Sequence, residues 1–246
     1  MKISVVTVCF NSAATIRDTL RSVEEQTHSE IEHIVIDGAS TDGTASIVRR
    51  EGRRVSRLIS EPDQGIYYAM NKGLALATGE MVGFLNADDT YGGGETVSYI
   101  ARATVDCPDA VFGDLVYVDS LDVKRVVRRW KSGQYAPGRL RFGWMPPHPT
   151  FYVRTDKLRG IGGFDVGLRI ASDYDCMLRL MKRPGFRAVY VERVLVHMRT
   201  GGASNRALSA IVRKSAEDLL AIRRNQIGGL LTLGLKNFRK LPQFWS

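Results

Sequence analysis

A chain of 246 residues with 44% hydrophobic and 25% charged residues is long enough for one sizeable domain and too short for two comfortable ones. This composition excludes a disordered chain, and no stretch of about 18 apolar residues exists that would span a bilayer. The three cysteines lie far apart without metal-binding spacing, so neither a disulfide framework nor a zinc site is predicted. The apolar start fits a buried strand better than a signal peptide, and we expect a cytoplasmic enzyme.

The formal net charge of +9 is compatible with nucleic acid, an anionic membrane or a phosphorylated substrate as a partner. Its distribution along the chain is uneven. From Arg206 onward, eight Lys and Arg residues face only Glu217 and Asp218. Most of the excess positive charge therefore lies in the C-terminal tail.

Strands and helices are predicted to alternate through the first 90 residues, with short polar turns between them. The predicted elements are a strand at Ile3 to Phe10, a helix at Ala14 to Glu25, a strand at Ile31 to Ile36, a helix ending near Arg50, a strand at Arg57 to Ser60, a helix at Ile66 to Ala77 and a strand at Met81 to Leu85. This alternation predicts an α/β fold with a mostly parallel central sheet flanked by helices, which binds ligands outside the carboxyl ends of its strands. Asn11, Asp37 and Asp88 each follow a strand, so we expect them to converge on one edge.

The second half is predicted to elaborate the first. Its predicted elements are strands at Ala110 to Val118, Thr150 to Val153 and Ala188 to Val196, and a helix at Ser172 to Met181. Ser172 and Asp175 have the spacing of a capping box. A basic stretch from Lys124 to Arg141 separates the first two of these strands. His197 and Arg199 are expected in a loop after the last strand.

Two adjacent carboxylates, Asp88 and Asp89, end the strand-like run that starts at Met81. Carboxylate oxygens are the ligands that Mg²⁺ and Mn²⁺ prefer, and such an ion would offset the charge of a departing diphosphate. An isolated Asp-Asp pair is more often a polar turn or a helix cap. The strand context and a second acid at a strand end, Asp37, favour the metal site.

Three further positions are candidates for donor binding and catalysis. Asp37 can accept hydrogen bonds from a base or a ribose hydroxyl, or can form a turn with Gly38. The backbone at Gly65 and the helix that follows can receive phosphate, although a single glycine can also serve only a turn. Asp173 begins a helix, whose positive end favours the ionised carboxylate that a general base requires; its alternative role is capping.

The segment before Gly201 and Gly202 offers two more candidates. The guanidinium group of Arg199 can donate two parallel hydrogen bonds to diphosphate oxygens, and His197 can be a third metal ligand. A lone histidine after a strand is more often structural, and His148 is similarly open between acceptor contact and packing.

Taken in order, these motifs resemble family 2 glycosyltransferases, particularly bacterial enzymes that build exopolysaccharide and O-antigen repeat units. The resemblance covers residues 1–205 and rests on ISVVTVCFNS, IVIDGASTDGT, QGIYYAMNKGLALATGE with GFLNADD, HPTFYVR, GGFDVGLRIASDYDCMLRL and the late Gly201-Gly202-Ala203-Ser204. It implies an A-type, nucleotide-diphospho-sugar-binding fold and an inverting transfer that uses Mn²⁺ or Mg²⁺, preferably from a UDP-sugar. Residues 1–90 would form the nucleotide-sugar half and residues 91–205 the acceptor half.

The resemblance also implies roles for individual residues. Asp173 would be the catalytic base, and Asp88 with His197 would bind the metal. The residues expected to contact the nucleotide or donor sugar are Thr7, Phe10, Asn11, Asp37, Gly65, Asn71, Asn86, Asp89 and Arg199. Two positions depart from the family pattern: many relatives carry Asp where this chain has Asn86, and close relatives often carry Asp where it has Tyr68.

The tail, residues 206–246, is predicted to be helical, basic and amphipathic. From Ile227 to Trp245 it combines leucines and aromatic residues with Lys236, Arg239 and Lys240, which is the composition of a helix lying on an anionic membrane. Its alternatives are packing on its own domain or in a homodimer. Membrane contact would suit a lipid-diphosphate-linked acceptor, whereas a glycan acceptor would not require it.

Two other functions are alternatives to sugar transfer. A nucleotidyltransferase would use a similar sheet and metal, but it would need a glycine-rich basic loop after the first strand, and Phe10, Asn11 and Ser12 do not provide one. A nucleic-acid-binding protein is suggested by charge alone. It would need basic residues interleaved with aromatic residues on one face, whereas here the charge is concentrated in the tail.

Overall fold

The computed structural model describes residues 1–120, 122–201 and 208–239. The strands are β1 (Ile3–Cys9), β2 (Ile31–Asp37), β3 (Val55–Ser60), β4 (Met81–Phe84), β5 (Thr90–Tyr91), β6 (Ala110–Val118), β7 (Val126–Trp130), β8 (Tyr152–Arg154) and β9 (Ala188–Arg199). The helices are α1 (Ile16–Glu24), α2 (Thr44–Glu51), α3 (Ile66–Leu76), α4 (Thr96–Arg102), α5 (Thr155–Gly160), α6 (Ser172–Met181), α7 (Leu208–Arg224) and α8 (Leu230–Phe238). Short 3₁₀ turns occupy Pro137–Phe142 and His148–Thr150. The predicted α/β class is confirmed.

All the strands belong to one mixed sheet in the order β3-β2-β1-β4-β8-β6-β9-β5, with β7 paired to β6. The first four strands in this order are parallel, as predicted. β8 then runs antiparallel to both β4 and β6, and β9 is parallel to β6. The parallel half thus places the ends of β1, β2 and β4 along one edge, and β8 joins this half to the rest of the sheet.

Helices cover both faces of the parallel half, which explains why its strands are continuously apolar. Every residue of β1 and β4 is buried. One face packs against α3 and α6 through a cluster that includes Val6, Phe84 and Met177. Gly73 permits the close approach of α3, because a Cβ at this position would lie 2.3 Å from Cγ1 of Val6.

The described part of the tail packs on its own domain. Ala221 and Ile222 of α7 are fully buried in the same cluster as α6, and Leu233 of α8 packs against that cluster. Gly143, at φ +70°, lies where a Cβ would be 2.3 Å from the backbone nitrogen of Lys236. Only a glycine lets α8 approach the 3₁₀ turn this closely.

This packing agrees with one of the three predicted roles of the tail, packing on its own domain, and a different surface of α8 is exposed. Leu230, Leu231 and Phe238 of α8 are exposed by 67%, 77% and 68%. The predicted contributions of residues 240–245, and of residues 202–204 in the glycine loop, lie outside the described residues. None of the described helices is long and apolar enough to cross a bilayer.

Two local predictions are wrong. β9 continues to Arg199, so His197 and Arg199 belong to a strand rather than to a loop, because pairing with β6 continues through Val118. The capping box at Ser172 and Asp175 does not form. Instead, Asp175 accepts a hydrogen bond from Arg179 Nε at 2.6 Å and one from Asn225 Nδ2 at 2.8 Å, which ties α6 to α7.

Candidate active site

Asp37 is the centre of the polar edge at the end of β2. Its side chain is fully buried and accepts hydrogen bonds from the backbone nitrogen of Ser40 at 3.1 Å, the hydroxyl of Ser40, and the hydroxyl of Ser60 at 2.6 Å. Its carboxylate therefore holds the turn after β2 against the end of β3. The structure shows this turn-forming role, and contact with a nucleoside stays a prediction.

Phe10 is the most exposed large side chain at this edge. It directly follows β1, is 65% exposed, and lies beside Gly38, where a Cβ would come within 3.4 Å of the ring. Asn11, at φ 48°, accepts a hydrogen bond from the Thr41 backbone at 3.0 Å and so ties the β1 loop to the β2 loop. This arrangement presents an aromatic face to solvent, as a platform for a nucleobase would require.

Thr7 faces the interior of the protein. It has no exposed surface, and its hydroxyl lies 2.9 Å from Nε2 of His33 on β2. Burial, together with the charge of Arg54, lowers the pKa of His33 to about 3. Thr7 and His33 thus support the polar edge from within the protein. Because Thr7 is fully buried, its predicted contact with the nucleoside has no exposed surface in this conformation.

The two candidates on α3 differ in their surroundings. Gly65 precedes the helix at φ 137°, a conformation that favours glycine, and leaves the backbone there open. Asn71 is instead committed to the protein: its amide group donates to the Phe164 carbonyl at 2.8 Å and accepts from the Phe164 backbone nitrogen at 2.9 Å. Asn71 holds the loop before α6, which does not support its predicted contact with the donor.

The end of β4 brings Asn86, Asp88 and Asp89 together. Asp89 is fully buried and accepts a hydrogen bond from Asn86 Nδ2 at 3.3 Å. Burial, followed by the charge of Asp88, raises the pKa of Asp89 well above its usual range. Burial also raises the pKa of Asp88. Negative charge at this strand end is therefore poorly compensated by the protein alone.

Arg199 and His197 reach this strand end from β9. Thr90 pairs with His197, and Arg199 donates to the Asp88 carbonyl at 3.5 Å and to the Asp18 carboxylate at 2.5 Å. Burial lowers the pKa of His197. Among the described residues, however, no three His, Cys, Asp or Glu side chains converge to hold an ion. The predicted third metal ligand is therefore not gathered with the two acids.

A divalent cation nevertheless fits the acids at the end of β4. Oδ1 of Asn86 and Oδ1 of Asp89 are buried without a hydrogen-bond partner in the described part of the chain. Asp88 is only half-buried and offers a hard oxygen ligand. A cation here would offset the charge that raises both pKa values, while phosphate oxygens and water would complete its coordination.

Asp173 lies in the first turn of α6. Its Oδ1 accepts hydrogen bonds from Tyr67 Oη at 3.2 Å and from the backbone nitrogen of Tyr174 at 2.8 Å. Its Oδ2 has no hydrogen-bond partner among the described residues. Tyr67 also donates to the Ile170 carbonyl at 2.6 Å. One carboxylate oxygen is thus fixed in place, and the other is available to a ligand.

Glu217 of α7 fixes the backbone that leads into α6. Its carboxylate accepts hydrogen bonds from the backbone nitrogens of Arg169, Ile170 and Ala171 at 3.2, 2.8 and 3.0 Å. Three donors on one carboxylate form a strong, charge-assisted anchor. The tail therefore helps to position Asp173.

A cavity of 540 Å³ opens beside Asp173. His148 lies in its wall, stacked on Phe84 at 5.7 Å between ring centroids, so this histidine both packs against the core and faces the cavity. Other wall residues come from β6, β7, β9, α7 and α8. None of Phe10, Asp37 or Asp88 lines this cavity. Of the residues predicted to contact the donor, only Arg199 is among the described residues of this lining, and Asp173 borders the cavity.

Sequence reasoning missed two residues that contact the Asp173 segment, Tyr67 and Glu217. Tyr67 lies 106 positions from Asp173 along the chain and belongs to an apolar helix, so nothing local distinguished it. Glu217 could have been noticed as one of two acids in a basic tail, but its partners are backbone nitrogens that no sequence pattern reveals.

Comparison with known proteins identifies the family. The pattern of Glycosyl transferase family 2 matches residues 4–171, which is more than half of the chain. A PGL/p-HBAD biosynthesis glycosyltransferase of Mycobacterium bovis is 30% identical over 208 residues, which cover 82% of this chain and 78% of that protein. An uncharacterized glycosyltransferase of Mycobacterium tuberculosis is also 30% identical, over 72% of this chain and 68% of its own length. This chain belongs to glycosyltransferase family 2 and is a glycosyltransferase.

Solved structures show the same fold. TarS residues 1–349 of S. aureus, in complex with UDP-GlcNAc, superimpose with a TM-score of 0.69 at 20% identity, covering 92% of this chain and 66% of that one. The mannosyltransferase PcManGT of Pyrobaculum calidifontis, in complex with GDP-Man and Mn²⁺, gives a TM-score of 0.69 at 21% identity, covering 99% and 71%. The fold is that of the A-type glycosyltransferases, as the motifs implied. Family membership also decides against the nucleotidyltransferase and nucleic-acid-binding alternatives.

Proposed function

We propose that this glycosyltransferase moves a sugar from a nucleotide-diphospho-sugar, preferably a UDP-sugar, to an acceptor hydroxyl with inversion at the anomeric carbon. The observation that carries the proposal is the placement of Asp173. This carboxylate borders an open cavity, keeps one oxygen without a partner among the described residues, and is held by Tyr67. These are the requirements for a general base that acts on a bound alcohol.

In the proposed reaction the acceptor hydroxyl gives its proton to Oδ2 of Asp173. The freed oxygen attacks the anomeric carbon from the side opposite the diphosphate, and the bond between that carbon and the diphosphate oxygen breaks. The nucleoside diphosphate leaves with the electron pair of that bond. Because a single displacement occurs, the configuration of the sugar inverts.

On this proposal the donor half, residues 1–90, binds the nucleotide-sugar. Phe10 supports the base, Asp37 and Asn11 order the loops around it, and the backbone at Gly65 faces the phosphates. Asp88, with Asp89 behind it, would hold Mn²⁺ or Mg²⁺, which supplies electrophilic stabilisation of the leaving diphosphate. Asn86 and Asp89 are the candidates for ribose or sugar contact, and Arg199 adds positive charge beside Asp88.

The proposed acceptor is a glycan or a lipid-diphosphate-linked sugar in bacterial surface polysaccharide synthesis, bound by the half that comprises residues 91–205. We further propose that the enzyme works at the inner face of the cytoplasmic membrane, which α8 contacts through Leu230, Leu231 and Phe238. Phe142, exposed by 58%, adjoins this face, because Arg239 Nε donates to its carbonyl at 2.9 Å. Apolar side chains next to a cationic one suit an anionic lipid surface.

Membrane contact is tested by sedimentation with vesicles that contain anionic lipid. The triple variant Leu230→Ser, Leu231→Ser and Phe238→Ser should remain in the supernatant, whereas the parent protein should pellet. Equal pelleting of the two proteins would reject α8 as the contact. A parent protein that elutes as a dimer, together with a triple variant that elutes as a monomer, would assign the same face to a homodimer instead.

The donor proposal is tested by thermal shift with a panel of UDP- and GDP-sugars, with and without Mn²⁺ or Mg²⁺. We expect stabilisation by a UDP-sugar that depends on the metal. The anomeric configuration of the product, followed by NMR, then tests inversion. Stabilisation by every nucleotide sugar without added metal, after treatment with a chelator, would contradict the metal-dependent proposal.

A further inference from the structure

The cavity beside Asp173 has a strongly cationic wall. Among the described residues, its lining contains seven Lys or Arg side chains and only two acidic ones, Asp173 and Asp218. The seven are Arg128, Lys131, Arg139, Arg199, Lys214, Lys236 and Arg239. A compartment for a neutral sugar hydroxyl does not require this concentration of positive charge.

Ion pairs within the protein account for part of the cationic wall. Lys131 pairs with Glu192 at 2.8 Å, Arg199 with Asp18 at 2.5 Å, and Lys236 with Asp218 at 2.6 Å. Of the other four cations, Arg128 lies over the ring of Tyr117, and Arg239 donates to the Phe142 carbonyl at 2.9 Å. The last two, Arg139 on the 3₁₀ turn and Lys214 on α7, come from different elements and have no ion pair in the described part of the chain.

The environment of these two cations suits a ligand rather than free solvent. Arg139 lies over the ring of Trp144 at 5.1 Å, which orients its guanidinium group. Lys236 lies over the ring of Tyr174 at 3.5 Å and carries a buried ammonium group. Burial lowers the pKa of Lys236, and the nearby charge of Lys214 lowers it further, while Asp218 opposes both. The positive charges of Lys214 and Lys236 thus face the same cavity, and an anion bound there would offset them.

We propose that the acceptor carries a phosphate or diphosphate group and that this group binds in the cavity between Arg139 and Lys214. The proposal rests on the proposed function, because Asp173 identifies the cavity as the acceptor side. Phe10, Asp37 and Asp88 lie outside this lining, and Arg199 is the one predicted donor residue that it shares among the described residues. A phosphate group, with up to two negative charges, offsets the two cations better than one carboxylate does.

The test uses calorimetric titration of the intact protein with inorganic pyrophosphate in buffer without divalent metal ions, which pyrophosphate would chelate, and with UDP in excess. We expect pyrophosphate to bind, and Arg139→Gln and Lys214→Gln each to weaken its binding about tenfold or more. The matched control is Arg223→Gln, which removes the same charge from an exposed position on α7 outside the cavity. Its affinity for pyrophosphate should equal that of the parent protein, and circular dichroism checks that all variants fold.

Three outcomes would overturn the proposal. The first is that pyrophosphate does not bind, and the second is that the parent protein and both cavity variants bind it equally. The third is that pyrophosphate displaces UDP, so that the two ligands compete for a single site per protein molecule. The third would assign the cations to the donor. None of these three outcomes contradicts the proposed function. A separate assay tests that function by measuring the hydrolysis of the nucleotide-sugar by water. Absence of both hydrolysis and nucleotide-sugar binding would instead overturn the proposed function.

A second pair of titrations distinguishes the two sources of the phosphate. Octyl phosphate, used below its micelle concentration, represents a lipid-linked acceptor, and glycerol 2-phosphate represents a soluble phosphorylated glycan. Tighter binding of octyl phosphate would identify a lipid-linked source. Equal affinities, both reduced by Lys214→Gln, would identify a soluble one.

Discussion

The proposed donor edge, at the ends of β1, β2 and β4, and the proposed acceptor cavity beside Asp173 have opposite chemistry. At the donor edge the polar groups are mostly acids, and the protein itself holds them: Asp37 and Asp89 are fully buried. In the acceptor cavity the polar groups are mostly cations, and they line an open space of 540 Å³. Asp173 lines this cavity, with one carboxylate oxygen fixed by Tyr67.

This difference agrees with what each region would bind under the proposed function. A donor that arrives with a metal ion would meet carboxylates, and the cation would offset the charge that burial makes unfavourable. A charged acceptor without a metal ion would have its charge offset by the side chains of the cavity. The two regions are therefore expected to respond differently to mutation.

The largest effect is expected at Asp173. Asp173→Asn removes the proton acceptor and should lower kcat by about 10² to 10⁴, with donor affinity nearly unchanged. Steady-state kinetics together with donor titration measure both quantities. Asp106→Asn, an exposed acid remote from the site, is the control and should behave as the parent protein. Near-normal turnover in Asp173→Asn would remove this residue from the base role.

A change at Asp88 should affect the donor region alone. Asp88→Ala removes a metal ligand, and we expect a loss of about 3 kcal/mol, roughly a hundredfold, in metal-dependent donor binding. Calorimetry with and without Mn²⁺ measures it. Pyrophosphate binding in the cavity should persist in this variant, and its loss would show that the two regions are one site.

Phe10→Ala tests the aromatic platform of the donor edge. Stacking of a base on an aromatic ring contributes about 1 to 3 kcal/mol, so we expect a weakening of UDP binding of about tenfold. Dependence on Mn²⁺ should remain as in the parent protein. Phe142→Ala, at an aromatic residue of similar exposure near α8, is the control. Equal UDP affinity in the parent protein and Phe10→Ala would place the base elsewhere.

Glu217→Gln tests whether the tail positions the catalytic segment. Removing the charge from an acceptor of three backbone hydrogen bonds should cost about 1 kcal/mol of positioning and lower kcat about fivefold. The Michaelis constant for the donor should not change, which separates positioning from donor binding. Glu25→Gln is the control, because Glu25 is an exposed acid directly after α1. A rise in the donor Michaelis constant with an unchanged kcat would contradict this role.

The donor region should also lose stability as the pH falls. His33 has a pKa lowered to about 3 in the folded protein, so the unfolded chain binds its proton first as the pH drops. Its stabilising contribution is complete above about pH 6.5 and decreases below it, by about 1 kcal/mol between pH 6.5 and 5.5. Denaturant unfolding at each pH measures this slope. The slope should be smaller in His33→Asn than in the parent protein.

Particular residues show how far sequence patterns reach. The run Met81 to Leu85 followed by Asn86 to Asp89 was enough to predict a strand that ends in acids, because apolar continuity and a polar turn are local signals. The bounds of β6 and α6 were also predicted correctly. The end of β9 was not, because it depends on pairing with β6, more than 70 residues earlier in the sequence.

The sequence by itself determined the fold class, the family and the order of the strand ends, because periodicity and short motifs are properties of neighbouring residues. The tertiary structure alone decided which of these polar residues are buried in the protein and which face a ligand. Asn71 and Thr7 are committed to the protein, while Phe10 is exposed. Only the tertiary structure shows that α7 and α8 line the cavity beside Asp173. The residues that Glu217 and Lys236 contact are distant in sequence, and these contacts form only when the chain folds.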